Sequence, residues 1–553
     1  MKLSCALVRS TSMIGLAAGL MMASAANAQT ATDPQANPAA PADPQQGTPQ
    51  ADTTPASDIG APTSPTNAVP DSQPGDDIVV TGVRASLERS IAIKRDSNGV
   101  VDAISAEDIG KFANTNLAES LQRITGVSID RRNGEGSTVT VRGFGAQYNL
   151  VTLNGRQLAT SNIVAVGGDQ GGDGAGGFGR SFDFSNLASE GVKTLEVYKT
   201  GRAAIPSGGI GATINVVSRR PLDSTDAGFL GSIGAKGSYD NSSSDCLDCG
   251  ARVTPEVSGT AAWSDPNQRF GVSLFGSYQK RNFSFPSVAP DNWNIRTLND
   301  FLNPANGFVN NATKINNRPT GNPLVSVPND SRYHFSEASR ERINGQAILQ
   351  FRPTDTLTFT ADGLYAQLKQ SERRSTQSNW FNRPFSEVTF DDASNGVATT
   401  TFLAETINGV KDAAFEQAYR AQKNKLYDFG GNIEWKPTDR FSFAIDGHIG
   451  KADSLPDNPN GQTSTTVAFN APVVAAQSLT LSDKGFPTQS ITINDGVASV
   501  TPAGVAFIKG NANGVIDAGD LSSAVQRQFA STQTQRIKEL RADAGWELND
   551  QFR

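Results

Sequence analysis

Residues 77–82 read Asp77-Ile78-Val79-Val80-Thr81-Gly82, the first run of β-branched residues after a long proline-rich segment. Three β-branched residues in a row favour an extended backbone. Their neighbours in sequence offer neither a hydrophobic face nor a hairpin partner. The segment is therefore either the first strand of the following domain or a peptide that pairs with a sheet edge on another protein. Composition alone favours the first-strand interpretation.

The first 28 residues have the features of a secretory signal peptide. Lys2 and Arg9 supply positive charge, Met13–Met22 form an apolar core, and Ala26-Asn27-Ala28 is a small-residue cleavage site. This core is too short for a membrane helix, and no later stretch approaches the ~20 apolar residues that a helical span needs. The sequence therefore predicts an exported protein that is either soluble or a β-barrel.

The composition of the rest of the chain excludes other classes. The formal net charge of -7 provides no basic stripe for nucleic acid. The 53 glycines and 19% charged residues suit strands and turns better than long helices. Residues 29–76 contain no aromatic residue, Lys or Arg. Because that segment buries too little apolar surface to offset the lost chain entropy, we predict that it is disordered.

Two short motifs raise the question of a metal. Cys246 and Cys249 form a single CxxC with no second pair and no nearby His, so we predict a local disulfide rather than zinc, with free thiols as the alternative. Residues 511–520 resemble part of a calcium loop. Position one of that loop would be Lys509, which repels the ion, and we interpret the segment as an Asx/Gly turn. We therefore predict neither a metal nor a cofactor.

Residues 90–224 have the pattern of a small α+β domain. Asn116, with Glu119 three residues later, begins the clearest helix, and Gly126 is its predicted stop. Ser105 has the spacing of a cap for an earlier helical turn. Strand patterns follow, and the dipeptide Asn154-Gly155 is a strong hairpin signal.

Several motifs of this domain, in the right order, resemble the TonB box and plug domain of TonB-dependent outer-membrane receptors. They are Asp77–Thr81, Asn116–Val127, Val139–Phe144, Leu153–Arg156, Val197–Gly201 and Ile205–Asn215. The resemblance covers residues 77–224 and is closest to the carbohydrate-linked branch of alphaproteobacteria and xanthomonads. Ala113-Asn114 departs from that branch, which has Pro-Asp there, and the glycine-rich insertion Gly167–Gly179 is long.

Beyond residue 225 the chain repeats a strand, a short polar turn, a strand and a long loop. The short turns are Asp265–Gln268, Pro353–Asp355, Pro437–Asp439 and Asn549-Asp550. Alternating segments of about ten residues are typical of transmembrane β-strands. A soluble sandwich would not regularly pair such short turns with loops of many tens of residues.

The fold class predicted is therefore an α+β plug domain followed by a transmembrane antiparallel β-barrel. About eight strands are present, whereas barrels that hold a plug have about 22 strands, so we expect a C-terminally truncated chain. The expected division is a signal peptide over 1–28, a disordered tail over 29–76, a TonB box over 77–82, a plug domain over 83–224 and the first part of the barrel over 225–553.

The resemblance implies a receptor and active transporter in the lipid of the Gram-negative outer membrane, energised by TonB and the ExbB–ExbD complex. It implies that Asp77, Ile78, Val79, Val80 and Thr81 pair as a strand with TonB, which reverses the first-strand interpretation. We expect an oligosaccharide as the substrate, with a ferric siderophore as the alternative.

The resemblance favours a role for two arginines, and the long loops add three aromatic candidates. Arg142 and Arg156 are predicted to form buried ion pairs between plug and barrel wall, the alternative being solvated arginines at strand ends. Trp293, Tyr333 and Trp380 are candidates for stacking on sugar rings, although membrane-interface aromatics are an equally good account.

Other classes fit the sequence less well. A passive porin or an adhesin would leave the plug motifs unexplained. A hydrolase would need a catalytic constellation, and the sequence has only two histidines, His334 and His448, and no G-x-S-x-G. We therefore predict that the protein is not an enzyme.

Overall fold

The structure is a computed structural model that describes residues 81–547 with internal gaps. The gaps are residues 98, 106–115, 164–179, 204, 224–226, 382, 394–395, 409–414, 471–472, 482–484, 497 and 501–503. The predictions for Asp77–Val80, the tail, the signal peptide, Ala113-Asn114, the glycine-rich insertion and the turn at Asn549-Asp550 all lie outside the described residues.

The predicted plug domain contains both helices and strands. In chain order these are α1 (Thr81–Asp96), β1 (Val101–Ser105), α2 (Leu117–Leu121), β2 (Val127–Arg132), β3 (Glu135–Val141), β4 (Asn149–Leu153), β5 (Arg156–Gln157), β6 (Val192–Tyr198) and β7 (Ala212–Ser218). Five strands form one sheet in the order β1-β6-β7-β4-β5, and β2 pairs with β3. The domain is therefore α+β, as predicted.

Helix α2 begins where the sequence predicted and ends earlier. The Asn116 side-chain oxygen accepts the Glu119 amide at 3.3 Å, which satisfies a helix N-terminal donor. After Leu121 the chain tightens into short-range turns, with the Ile124 amide donating to the Leu121 carbonyl at 3.0 Å. Gly126, at φ +73°, then turns the chain into β2 instead of capping the helix.

Two N-terminal predictions differ from the structure. Helix α1 begins at Thr81, so the last two residues of the predicted TonB box are helical rather than extended. Ser105 ends the strand β1 instead of capping a helix. The Ser105 assignment was made from local spacing, whereas β1 is fixed by its pairing with β6, about 90 residues later in the chain.

The rest of the described chain is almost entirely strand. In order the strands are β8 (Gly228–Tyr239), β9 (Val253–Ser264), β10 (Phe270–Ser284), β11 (Ser287–Asp291), β12 (Asn294–Thr297), β13 (Lys314–Asn316), β14 (Leu324–Val327), β15 (Asp330–Thr354), β16 (Leu357–Trp380), β17 (Glu387–Phe390), β18 (Val397–Thr406), β19 (Phe415–Thr438), β20 (Phe441–Pro456), β21 (Ser464–Asn470), β22 (Val474–Thr480), β23 (Thr488–Ile493), β24 (Ala498–Val500), β25 (Ala506–Ile508), β26 (Ser522–Phe529) and β27 (Gln533–Trp546).

The largest sheet of the described residues is antiparallel and barrel-like. Strands β8, β9, β10, β15, β16, β19, β20 and β27 pair in that order, and we call these eight strands the wall. The turns predicted at Asp265–Gln268, Pro353–Asp355 and Pro437–Asp439 join successive wall strands. At the first turn the Asp265 carboxylate accepts the Arg269 and Phe270 amides at 2.6 and 2.7 Å, which fixes the tight reversal.

The two faces of the wall differ in chemistry. One face, which we call inner, contacts the plug domain and buries polar residues such as Asp362 and Asp446. The outer face exposes large apolar side chains, among them Phe270, Leu274, Phe351, Phe359, Phe429 and Trp435. This alternation is the one that the sequence predicted. Among the described residues, no helix is both long and apolar enough to cross a membrane.

The long loops between wall strands contain strands and a helix of their own, which the sequence analysis did not predict. Strands β12, β14, β18, β17 and β13, with β22 and β23, form a second sheet of seven strands. Helix α3 (Leu298–Leu302) packs in its own hydrophobic core, which includes Phe301, Phe385, Phe390 and Leu403. The three loops build one core together, so no single loop carried a recognisable pattern.

Candidate functional site

The candidate site is the contact between the plug domain and the inner wall, and two Asn-Gly turns build its plug side. Asn154 and Gly155 have φ of +53° and +83°, the backbone of a tight hairpin turn. The Gly155 amide donates to the Asn215 side-chain oxygen at 2.9 Å, which fixes the turn against β7. Arg156 follows at once, so this predicted hairpin presents a rigidly placed guanidinium.

Arg156 bridges two wall strands. Its Nη1 donates to the Asp362 carboxylate on β16 at 2.7 and 2.8 Å, and its Nε and Nη2 donate to Asp446 on β20 at 2.8 and 3.0 Å. Arg156 is only 3% exposed. Burial alone would lower the pKa of Arg156, but the two carboxylates outweigh it and hold that pKa above its ordinary value. Paired, bidentate contacts of this kind are strong and directional.

Gly430 makes the approach of Arg156 to the wall possible. It lies between Asp362 and His448 in the register of β16, β19 and β20. A Cβ at Gly430 would overlap the Arg156 guanidinium. The sequence signal was the Gly430-Gly431 pair inside an otherwise alternating strand, which marks close backbone approach and was missed.

The wall around Arg156 is acidic. The Asp428 carboxylate on β19 is hydrogen-bonded to His448 Nδ1 at 2.9 Å. The other ring nitrogen, His448 Nε2, lies 3.3 Å from Glu539 on β27. Asp446 also accepts from Asn432 at 3.1 Å. Four adjacent wall strands therefore each carry a carboxylate in this region, and Asp362 and Asp446 contact the guanidinium of the plug domain.

The second Asn-Gly turn carries the opposite charge. Asn133 and Gly134 have φ of +52° and +77°, and Glu135 follows as the first residue of β3. Glu135, 2% exposed, forms ion pairs with Arg340 and Arg342 of β15, the latter at 3.2 Å. Sequence analysis did not identify Glu135, although an Asn-Gly pair precedes it, as one precedes Arg156.

Glu135 is also connected to the interior of the plug domain. Asn116, which caps α2, donates its side-chain amide to Glu135 at 3.0 Å. Arg342 donates to the Ser185 carbonyl at 2.9 Å, so the same wall residue holds two parts of the domain. The contact therefore links β15 to the helix that precedes the hairpin.

Three glutamine side chains of the wall complete the contact by binding backbone groups of the plug domain. Gln535 accepts the Thr160 amide at 2.5 Å, Gln533 accepts the Asn162 amide at 2.8 Å, and Gln422 donates to the Ile163 carbonyl at 2.6 Å. The segment that follows Arg156 is thus hydrogen-bonded to β19 and β27 at Thr160, Asn162 and Ile163.

Arg142 lies elsewhere. It is exposed, and its Nη2 donates at 2.7 Å to the Gly211 carbonyl of the plug domain itself. Its φ is +53° and it directly follows β3, where the chain turns. The structure therefore places the predicted plug–wall arginines differently, with Arg156 at the wall and Arg142 within the plug domain.

The three aromatic candidates do not form one surface. Trp293 is 41% exposed between β11 and β12. Tyr333 donates its hydroxyl to the Pro487 carbonyl, and Trp380 lies under the Arg332 guanidinium at 5.1 Å from its ring centre. Trp380 pairs opposite Asp330, three positions from Tyr333, so the two rings lie on opposite faces of the sheet. Their role in substrate binding stays a prediction.

The remaining predicted features are local. Cys246 and Cys249 are joined by a disulfide, and Glu337 of β15 accepts the backbone amide of Asp248 between them at 3.3 Å.

In the calcium-like segment, Lys509 is buried and donates to the Ile407 carbonyl at 3.3 Å. The Asp495 carboxylate accepts the Ala512 and Gly514 amides at 2.9 and 2.8 Å. These bonds are those of a hydrogen-bonded Asx/Gly turn.

Comparison with known proteins agrees with this geometry. Residues 93–213 match the family model described as the TonB-dependent receptor plug domain. The match identifies the N-terminal domain as a plug domain and supports a TonB-dependent receptor.

Solved structures of two iron-chelate receptors are also similar to the chain. The ferric enterobactin receptor PfeA of Pseudomonas aeruginosa is 11% identical over 83% of this chain and 57% of its own, with a TM-score of 0.32. The ferric-catecholate receptor Fiu of E. coli K12 is 12% identical over 82% of this chain and 64% of its own, with a TM-score of 0.31. The chain thus spans less than two thirds of the length of either receptor.

Proposed function

We propose that this protein is a TonB-dependent outer-membrane receptor that imports a scarce solute into the periplasm. The observation that carries the proposal is the plug-domain match over residues 93–213, followed by a wall whose inner face is ion-paired to that domain. A domain placed against the inside of a barrel-like sheet closes it, so import requires the domain to move.

The outer face of the wall supports a location in the membrane. Its exposed aromatic residues cluster next to the short turns, with Phe351 and Phe359 stacked at 6.3 Å and Trp263 and Phe270 at 6.1 Å. Aromatic girdles at one edge of an apolar band are a property of outer-membrane barrels. We propose that the short turns face the periplasm and the second sheet faces outward.

Coupling to TonB, energised by ExbB–ExbD, would act through the N-terminal segment. Asp77–Thr81 would add as a strand to TonB. The helix α1 that follows is tied to β1 because Lys94 donates to Asp102 at 2.9 Å, and Lys199 of the plug domain donates to the same carboxylate at 2.5 Å. Burial raises the pKa of Asp102, but the two lysines outweigh it and hold that pKa below its usual value.

A pulling force on this segment would reach β1 first. Strand β1 is an edge of the five-stranded plug sheet, whereas β5, which carries Arg156, is the opposite edge. An edge strand pairs on one side only, so β1 can separate from β6 while β5 stays anchored to the wall. The order of release would therefore run from β1 toward Arg156.

We propose an oligosaccharide as the substrate, in keeping with the carbohydrate-linked resemblance of residues 77–224. The alternative is a ferric siderophore, the class named for the similar solved receptors. Growth of a deletion strain on a panel of oligosaccharides and of iron chelates separates the two. Loss of growth confined to the iron chelates would overturn the oligosaccharide assignment.

Substitution in the predicted TonB box tests the proposed function. We expect Val79→Pro to abolish energised uptake of the substrate found in that panel, because proline removes a strand hydrogen-bond donor. Val69→Pro, in the proline-rich tail, is the matched control and should leave uptake unchanged. Normal uptake by a correctly inserted Val79→Pro receptor would contradict the assignment of residues 77–82.

A further inference from the structure

The plug domain is separated from part of the wall by a cavity of about 550 Å³. One side of this cavity is the end of the plug domain, with Lys193, Arg219 and Arg220. The other side is the inner face of β8, β9, β10 and β15, with Ser232, Thr260 and Ser273 among its lining residues. A gap of this size is in the range of ligand-binding cavities.

The cavity lies at the short-turn end of the wall. Ser273 is three residues from the start of β10, and Ala262 is two residues before the end of β9. Leu222, next to the cavity, donates its amide to Gln350 at 3.1 Å and so fixes the end of the plug domain to β15. Under the proposed orientation, this end of the wall faces the periplasm.

An aromatic residue closes the other end of the cavity. Phe275 of β10 points inward and packs against Gly191 of the plug domain, where even an added Cβ would lie 2.7 Å from the Phe275 ring. The ring also borders a small inner space of about 20 Å³ among the buried plug residues Leu187, Ala188 and Val192. Only a glycine leaves room for this contact, so Phe275 and Gly191 form a constriction above the cavity.

The charges of the cavity are mostly positive. Lys193 is paired with Asp223 at 2.7 Å, and Asp223 is the single carboxylate among the lining residues that the structure describes. The charges of Arg219 and Arg220 are therefore not balanced within the lining. The hydroxyl groups of Ser232, Thr260 and Ser273 add hydrogen-bonding partners for a hydrated solute.

We propose that the solute leaves the barrel along β8–β10, through the Phe275–Gly191 constriction and this cavity, and that the solute is a hydrophilic anion. The inference rests on the proposed transport function and specifies its route and substrate class. Both ion-pair anchors, Arg156 and Glu135, hold the plug domain to β15, β16 and β20. Strand β10 contacts the domain through Phe275 and through Arg281, which donates to the Asn133 carbonyl at 3.0 Å. Movement of the domain away from β10 therefore opens the β8–β10 side. An acidic oligosaccharide and a carboxylate-bearing chelate share this chemistry.

The route can be tested without the substrate and without TonB. The full-length receptor is inserted in planar lipid bilayers, and its conductance is measured in a KCl gradient. We expect Phe275→Ala to conduct with anion selectivity, and adding Arg219→Gln and Arg220→Gln to lower that selectivity several-fold. The matched control is Leu426→Ala, a large-to-small change where the plug domain packs on β19, which should stay closed. Heat-modifiable migration verifies that each variant is folded.

Cysteine modification then locates the conducting path. Two cysteine variants are made in the Phe275→Ala receptor, and each is treated with the anionic thiol reagent sulfonatoethyl methanethiosulfonate. The reagent should reduce the current of the receptor that carries Ala262→Cys, because residue 262 lines the cavity. It should not reduce the current of the receptor that carries Ala366→Cys, because residue 366 is packed against the plug domain. Current block by oligogalacturonate or by citrate distinguishes the two sources of anion. A closed or cation-selective Phe275→Ala receptor, current lost through Ala366→Cys, or block by neither anion would overturn the proposal. The proposed function would survive these results if Val79→Pro still abolishes uptake.

Discussion

The two Asn-Gly hairpins of the plug domain use the same turn to opposite electrostatic effect. Asn154-Gly155 places Arg156 between two carboxylates of β16 and β20, and Asn133-Gly134 places Glu135 between two arginines of β15. In both hairpins the charged residue comes directly after the turn, where the backbone is most tightly constrained. The plug domain thus offers one charge of each sign to a wall that carries the complements.

The two anchors differ in how completely the wall satisfies them. The Nε, Nη1 and Nη2 atoms of Arg156 all donate to carboxylates of the wall, and Gly430 leaves space for the guanidinium. Glu135 shares its oxygens between the wall and Asn116 of its own domain. We infer that Arg156 mainly fixes the position of the plug domain, whereas Glu135 connects that position to the interior of the domain.

Among substitutions at the two anchors, removal of Arg156 should have the largest effect on hydrogen exchange in the plug domain. Arg156→Met leaves Asp362 and Asp446 buried without a cation, at a cost of about 3–5 kcal/mol. Hydrogen exchange of residues 150–158 in the purified receptor should therefore become faster by about a hundredfold or more. The matched control is Arg131→Met, whose ion pair with Glu119 leaves 46% of the arginine side chain exposed. It should change exchange in its own region by less than about fivefold.

Adding Asp362→Asn and Asp446→Asn to Arg156→Met removes the unpaired charges. Exchange in the same residues should then slow again, because the cost lies in the uncompensated carboxylates. If the single variant exchanges like the unsubstituted receptor, Arg156 does not anchor the plug domain.

Glu135→Gln should have a smaller effect. The amide keeps the shape of the side chain and can still accept from Asn116, so the loss is one of charge, at about 1.5–3 kcal/mol. Exchange of residues 135–141 should become faster by about ten- to a hundredfold, and residues 117–121 should follow because Asn116 joins them to Glu135. Faster exchange in residues 135–141 alone would contradict the proposed link to α2.

The sequence predicted those parts of the fold that depend on local pattern. The Asn154-Gly155 hairpin, the Asn116 cap and the alternation of the wall strands each follow from residues a few positions apart. The partners of Arg156 could not be predicted in this way, since Asp362 and Asp446 are 206 and 290 residues away. Alternation indicates which face a residue occupies, but the register and the neighbouring strand decide which charges meet.

The same limit explains the elements that were missed. Strand β1 depends on β6, and the second sheet combines three loops that have no core of their own. Glu135 was missed for a different reason, because the Asn133-Gly134 signal was present but its charged neighbour was not weighed. A search for charged residues directly after Asn-Gly turns would have found both anchors.

The central claim is that buried ion pairs fix the plug domain tightly to β15, β16 and β20, whereas a cavity separates the domain from part of β8–β10. Modification of single cysteines in the resting, purified receptor tests this claim most directly, with the receptor lacking an introduced cysteine as background. Ala262→Cys, in the cavity on the β8–β10 side, should react with a hydrophilic thiol reagent at least about a hundredfold faster than Ala366→Cys, which is 1% exposed beside the anchors. Equal rates at the two positions, or faster reaction at Ala366→Cys, would contradict the account.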